Sequence, residues 1–102
     1  MAEKIEWSDK AADHIRNRSI RYPRALDIEP TWTNEAGADP DAVIDEPDPK
    51  SAHANSVRII GYSPTARAVL TVVGRREARG IIRGASAWKA SGVDLRRYQE
   101  EP

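Results

Sequence analysis

Three β-rich runs follow one another within residues 56–99 with only short connections, and this spacing restricts the fold more than any other feature of the chain. The runs are SVRIIGY, AVLTVVG and GIIRGASA. The tight proline turn SPTA joins the first two, and the polar stretch RREAR joins the second pair. Runs linked this way read as antiparallel neighbours. AVLTVVG is almost continuously apolar, so it is expected at the centre of the sheet with both faces covered. The third run is thinner. Gly84 within it marks a bulge or a close backbone approach. The tail VDLRRYQE then reads as a closing helix. Arginines dot the strands and turns at Arg58, Arg67, Arg75, Arg76, Arg79 and Arg83. A small sheet studded with guanidinium groups is a platform for a polyanion, with RNA the first candidate.

With 102 residues, the chain is expected to form a single domain, residues 1–102, with one small core. Hydrophobic residues make up 39% and charged residues 31%, a balance that favours a folded chain over a disordered one. There is no cysteine, which excludes disulfides and thiolate metal sites. No apolar run approaches the ~20 residues of a membrane span. The opening MAEKIEWSDK has no apolar signal core, so a cytoplasmic location is expected. The formal net charge is zero but unevenly placed. Glu29, Glu35, Asp39, Asp41, Asp45, Glu46 and Asp48 face a single base, Lys50, in the middle segment, whereas residues 56–102 are basic. Such a layout can steer a charged partner to one face, although most single surface charges are merely solvated.

The first half is less regular. Residues 4–7 fit an edge strand or an extended lead-in. Ser8 is an N-cap and Asp9 suits the first turn of a helix over residues 9–18. Its apolar stripe is Ala11, Ala12 and Ile15, with Trp7 just ahead. A second short helix is expected over 23–28, opened by Pro23 and ended by Pro30. TWT has strand character and AVID fits another short strand. NEAGADPD and EPDPKSAHANS read as loops. The expected architecture is therefore α+β. A small antiparallel sheet carries two N-terminal helices and a C-terminal helix on one face, with an acidic, loop-rich segment at 34–55.

The opening IEWSDKAADHIRNRSIRYPRA resembles the N-terminal helical hairpin of BrnT toxins, members of the RelE/ParE superfamily of bacterial type II toxin–antitoxin systems. The family pattern there is matched by Trp7, Asp9, Lys10, Ala11, the basic run at 16–18, Ile20 and Tyr22. RIIGYSPTARAVLTVVGRRE is similar to the family's central hairpin. IIRGASAWKASGVDLRRYQEE is similar to its last strand and closing helix, through Ser86, Ala87, Ala90, Arg96, Arg97, Tyr98 and Glu100. The resemblance covers most of the chain outside about residues 29–55. Three departures stand out. Trp88 takes the place of an arginine in the family's Ser-Ala-Arg core. A family histidine falls at Arg18. The acidic segment is longer than the usual linker.

The resemblance implies a RelE/ParE-like fold and a ribonuclease that blocks translation without metal or other cofactor. It also implies a cognate antitoxin, usually with a DNA-binding part, held in a hetero-oligomer. Related folds act on gyrase, and a fold that only binds a partner is a further alternative. Cleavage through the 2′-OH needs a base, an acid and stabilisation of the pentavalent phosphate. Arginine suits the last task. The catalytic candidates are Arg83, Arg58, Lys89 and Tyr98, and the RNA-binding candidates are Arg75, Arg76, Arg79 and Trp88. Arg83 interrupts an apolar strand, where a charge needs a reason. Each arginine is otherwise a solvated sheet residue. Trp88 either stacks on a base or seats the last helix. Tyr98 is either core or a proton donor. His14 and His53 are the only histidines, each at a position where a surface role is the ordinary one. No spacing fits a metal site.

Overall fold

In the computed structural model, which describes residues 3–100, the class is α+β. The elements run β1 (Lys4–Glu6), α1 (Asp9–Arg16), α2 (Arg18–Arg21), α3 (Pro30–Ala38), β2 (Val43–Asp45), β3 (Ser56–Ser63), β4 (Ala68–Ala78), β5 (Ile81–Lys89) and α4 (Gly92–Glu100). The five strands form one sheet in the order β1-β5-β4-β3-β2. β4 is central, as its apolar run requires.

The sheet is mixed, not purely antiparallel. β2 through β5 pair antiparallel, but β1 runs parallel to β5 with Ile5 opposite Ile82. No hairpin ties β1 to its neighbour, so no turn dictates its direction. Two contacts hold it instead. The Ile5 side chain is buried in the core. The Asn34 side chain accepts from Ile5 N–H at 2.8 Å and donates to Ile5 C=O at 3.0 Å, which satisfies the outer edge of the strand.

The helices lie on both faces, not on one. Val57, Ile59, Leu70, Val72, Ile82 and Ala87 pack with Ile15 of α1 and Ala36 of α3. On the opposite face Ile60, Val43 and Ala90 pack with Val69, Leu95 and Tyr98. The reason lies in β4, which turns apolar residues to both sides. Each fully buried Ile, Leu or Val contributes roughly 1.5–3 kcal/mol, so neither face can be left open.

α1 starts where expected. The Ser8 hydroxyl accepts from Ala11 N–H at 3.1 Å, and Ala12 and Ile15 are buried. It stops at Arg16, and α2 follows. Residues 23–28 are not helical; they pass as a turn and extended chain. Pro30 begins a helix instead of ending one, since the missing N–H of proline is no loss at the first helical position. TWT is accordingly helical. Tertiary contact overrides its strand propensity: Thr33 accepts from the Trp7 indole N–H at 2.9 Å, and the small residues Ala36 and Gly37 face the sheet. Within the acidic segment, residues 34–38 are therefore helix and 43–45 strand, which leaves 46–55 as its long loop.

RREAR is mostly strand, because β4 continues to Ala78. Arg79 and Gly80 alone form the tip, with Gly80 at φ +77°. At Gly84 both expectations hold. The register jumps from Val73–Ser86 to Gly74–Gly84, bulging at Ala85. A Cβ on Gly84 would also meet the Trp7 ring at 2.5 Å. Among the described residues no helix is long and apolar enough to cross a membrane.

Candidate nucleic-acid interface

Strand register sorts the candidate residues by face. Arg58, Thr71, Val73, Arg75, Ser86 and Trp88 share the face that α4 only partly covers, because Arg58 pairs with Val73, Thr71 with Trp88 and Val73 with Ser86. Arg58 is buried there. Its Nε donates to Asp48 at 3.1 Å and its Nη1 to Asp94 at 2.8 Å, and the Thr71 hydroxyl donates to Asp94 at 3.0 Å. Two carboxylates around one guanidinium leave no surplus positive charge for a phosphate. Arg58 therefore clamps the 46–55 loop and α4 onto the sheet.

The other arginines divide in the same way. Arg83, the foremost sequence candidate, is exposed and forks onto Glu77. That bond holds the Glu77 carboxyl below its usual range and raises the guanidinium. Arg76 forks onto both Glu46 and Glu3, and lies on the other face of the sheet opposite Ile82. Arg79 is exposed at the β4–β5 tip. Tyr98 donates its hydroxyl proton to Asp39 at 2.6 Å. Burial, and then this carboxylate, push its pKa up to about 12. Its proton is committed to a structural contact, and its ring packs with Leu95 and Ile60.

Trp88, Lys89 and Arg75 occupy a different setting. Trp88 is half-buried and forms a wall shared by two hollows. The first, about 560 Å3, brings Lys89 together with Arg18, Arg24 and Arg67, and among the described residues no carboxylate lines it. The Arg18 guanidinium lies 4.7 Å from the Tyr22 ring and 5.6 Å from the Trp88 ring. Cation–π contact of this kind orients a cation without neutralising it. Arg67 sits in the left-handed region at φ +55°, a conformation that costs a non-glycine residue about 1–2 kcal/mol. Glu35 locks its turn, accepting from the hydroxyls of Ser63 at 2.7 Å and Thr65 at 2.6 Å. The second hollow, about 440 Å3, lies between the 46–55 loop and the sheet and presents Lys50, His53 and Arg75 beside Trp88. Among the described residues no cluster of three or more His, Asp or Glu could hold a metal ion.

The fold thus brings the sequence candidates Trp88 and Lys89 together with Arg67, one of the arginines noted on the strands and turns, and adds Arg18 and Arg24, while Arg75 lies with Trp88 in the second hollow. No local signal set Arg18 and Arg24 apart: Arg58 and Arg83 also lack an acidic neighbour in sequence, yet both are paired with carboxylates. Comparisons with family models, with curated proteins and with solved structures find no match to this chain.

The paired carboxylates make one pH prediction. Hydrogen bonds from Arg76 hold Glu3 and Glu46 below their ordinary values, and Arg97 does the same for Asp45. For Asp39, burial works upward, but bonds from Tyr98 and from the Tyr62 and Asp41 N–H groups outweigh it. The unfolded chain keeps the ordinary values near 4 and so binds more protons in acid. The stabilisation is present above about pH 4 and is lost as pH falls through the depressed folded values. Thermal melts are expected to show Tm falling below about pH 4, with a shallower fall in Arg76→Met.

Proposed function

We propose that this chain is the RNA-directed toxin of a bacterial toxin–antitoxin pair, with a RelE/ParE-like fold, and that it grips single-stranded RNA across Trp88. One observation carries the reading: in a chain of zero net charge, four cations line a hollow beside a half-buried indole, with no carboxylate among the described residues that line it. Phosphates take up uncompensated guanidinium and ammonium groups, and a base stacks on the aromatic face. Tolerated strain at Arg67 supports a functional placement of that charge. The resemblance to BrnT toxins adds a second support. Two of its departures, Trp88 and Arg18, meet in space, so the guanidinium absent at position 88 is replaced by one 5.6 Å from the indole. The antitoxin would shield this basic surface with an acidic segment, and the pair would form a hetero-oligomer in the cytoplasm.

Fluorescence anisotropy with a single-stranded RNA oligonucleotide tests the reading. Trp88→Ala is expected to weaken binding by about 5- to 150-fold, the equivalent of ~1–3 kcal/mol for a lost base stack. Arg18→Ala, Arg67→Ala and Lys89→Ala should each reduce the slope of log K against log salt by about 0.7. Salt slopes unchanged in all three would refute the interface. Growth arrest on expression, relieved by a co-purifying acidic partner, tests the toxin assignment separately.

A further inference from the structure

We infer that His53 is the general base of an RNA-cleaving centre in the second hollow, positioned there beside Arg75. This inference rests on the reading of the chain as RNA-directed, and goes beyond it by assigning the chemistry to a loop histidine.

His53 Nε2 lies 2.7 Å from an Arg75 Nη. A guanidinium has donors only, so the ring nitrogen facing it accepts, and the ring proton sits on Nδ1. The main chain fixes the loop beneath it. His53 C=O accepts from Ser56 N–H at 3.2 Å and from the Ser56 hydroxyl at 2.8 Å, while His53 N–H donates to the Ser51 hydroxyl at 3.2 Å. The charged groups lining the same hollow are Lys50 and Asp48 from the loop, Arg58 from β3 and Arg75 from β4. Asp48 is paired with Arg58, which also holds Asp94. A phosphodiester entering beside Trp88 therefore meets Arg75, Lys50 and the His53 lone pair.

The step balances with these groups. The phosphate draws the Arg75 fork onto its non-bridging oxygens and frees His53 Nε2. Nε2 takes the ribose 2′-OH proton as the 2′-oxygen bonds to phosphorus. The P–O5′ bond breaks, and the departing 5′-oxygen takes a proton from the Lys50 ammonium. The products are a 2′,3′-cyclic phosphate and a 5′-OH. Solvent returns the proton from His53 to Lys50. No oxidant, reductant or co-reactant is required.

Single-turnover cleavage of a saturating single-stranded RNA oligonucleotide by the full chain tests the assignment. Wild type should yield 2′,3′-cyclic phosphate ends. His53→Gln should cut about 10²- to 10⁴-fold more slowly, the usual range for a lost general base. The His53 side chain is exposed, so circular dichroism should show the variant folded. An oligonucleotide with a 2′-deoxy scissile nucleotide should be bound and left intact. Cleavage by His53→Gln at the wild-type rate overturns the assignment, as does wild type that binds RNA but leaves it whole. Failure of wild type to bind either oligonucleotide refutes the RNA reading itself, a different result from binding without cutting.

Discussion

Arg58→Ala is expected to cost about 3–5 kcal/mol of folding stability, the range for removing one partner of a buried ion pair. Against a total of roughly 5–15 kcal/mol for a domain of this kind, that is a large share. Arg58 is 7% exposed, and Asp48 and Asp94 are 4% and 7% exposed. Deleting it leaves two carboxylates close together in a poorly hydrated site, with, among the described residues, the Thr71 hydroxyl and the Lys50 N–H still donating to them. Asp48 anchors the 46–55 loop and Asp94 lies in the first turn of α4, so both should loosen. Urea unfolding measures the loss. A triple replacement, Arg58→Met with Asp48→Asn and Asp94→Asn, should recover part of it, because it removes the uncompensated charge along with its partner. If Arg58→Ala unfolds at the wild-type urea midpoint, the clamp is not structural. Arg58 would then again be a candidate for phosphate contact.

Gly61→Ala is the second change with a large effect, expected at about 3 kcal/mol, the upper end for overpacking a well-filled site. Glycine is required here by proximity, not by backbone conformation. A Cβ at position 61 would lie 2.1 Å from Ala36 C=O and 2.8 Å from the Ala36 carbonyl carbon. Both obstacles are main chain, so no rotamer change relieves them. α3 would have to lift off β3, disturbing Ala36 in the core and the Asn34 clamp on β1. Gly80→Ala provides a contrast. Nothing lies within 4 Å of its Cβ position, and only its φ of +77° opposes the substitution, at about 1–2 kcal/mol. Equal midpoints for Gly61→Ala and wild type in thermal unfolding would show that α3 does not rest on the β3 backbone.

The candidate surface was legible in part. Trp88 and Arg75 share a face by strand alternation, so a strand reading was enough to associate them, whereas Lys89, paired with Leu70, alternates to the other face and meets Trp88 only at the first hollow. Arg18, Arg24 and Arg67 come from α2, the turn after it and the β3–β4 turn, and only the folded chain brings them to the same hollow. The arginines that drew most attention in sequence, Arg58 and Arg83, prove to be engaged by carboxylates. Glu77 is only six residues from Arg83, but Asp94 is 36 residues from Arg58, a partner beyond the reach of local pattern.

The linear order of residues was sufficient for the elements whose causes are local. The three long strands, the Ser8 cap and the closing helix follow from side-chain periodicity, turn chemistry and capping, which act over a few neighbours. Tertiary structure alone decided the parallel direction of β1, the helical state of residues 30–38, the placing of helices on both sides of the sheet and the pairing of each arginine. These depend on contacts between distant segments: Asn34 with Ile5, Thr33 with Trp7, Gly61 with Ala36. Charge follows the same division. Sequence order sets how many cations there are, but the distance from each to the nearest carboxylate determines which remain free to hold an anion.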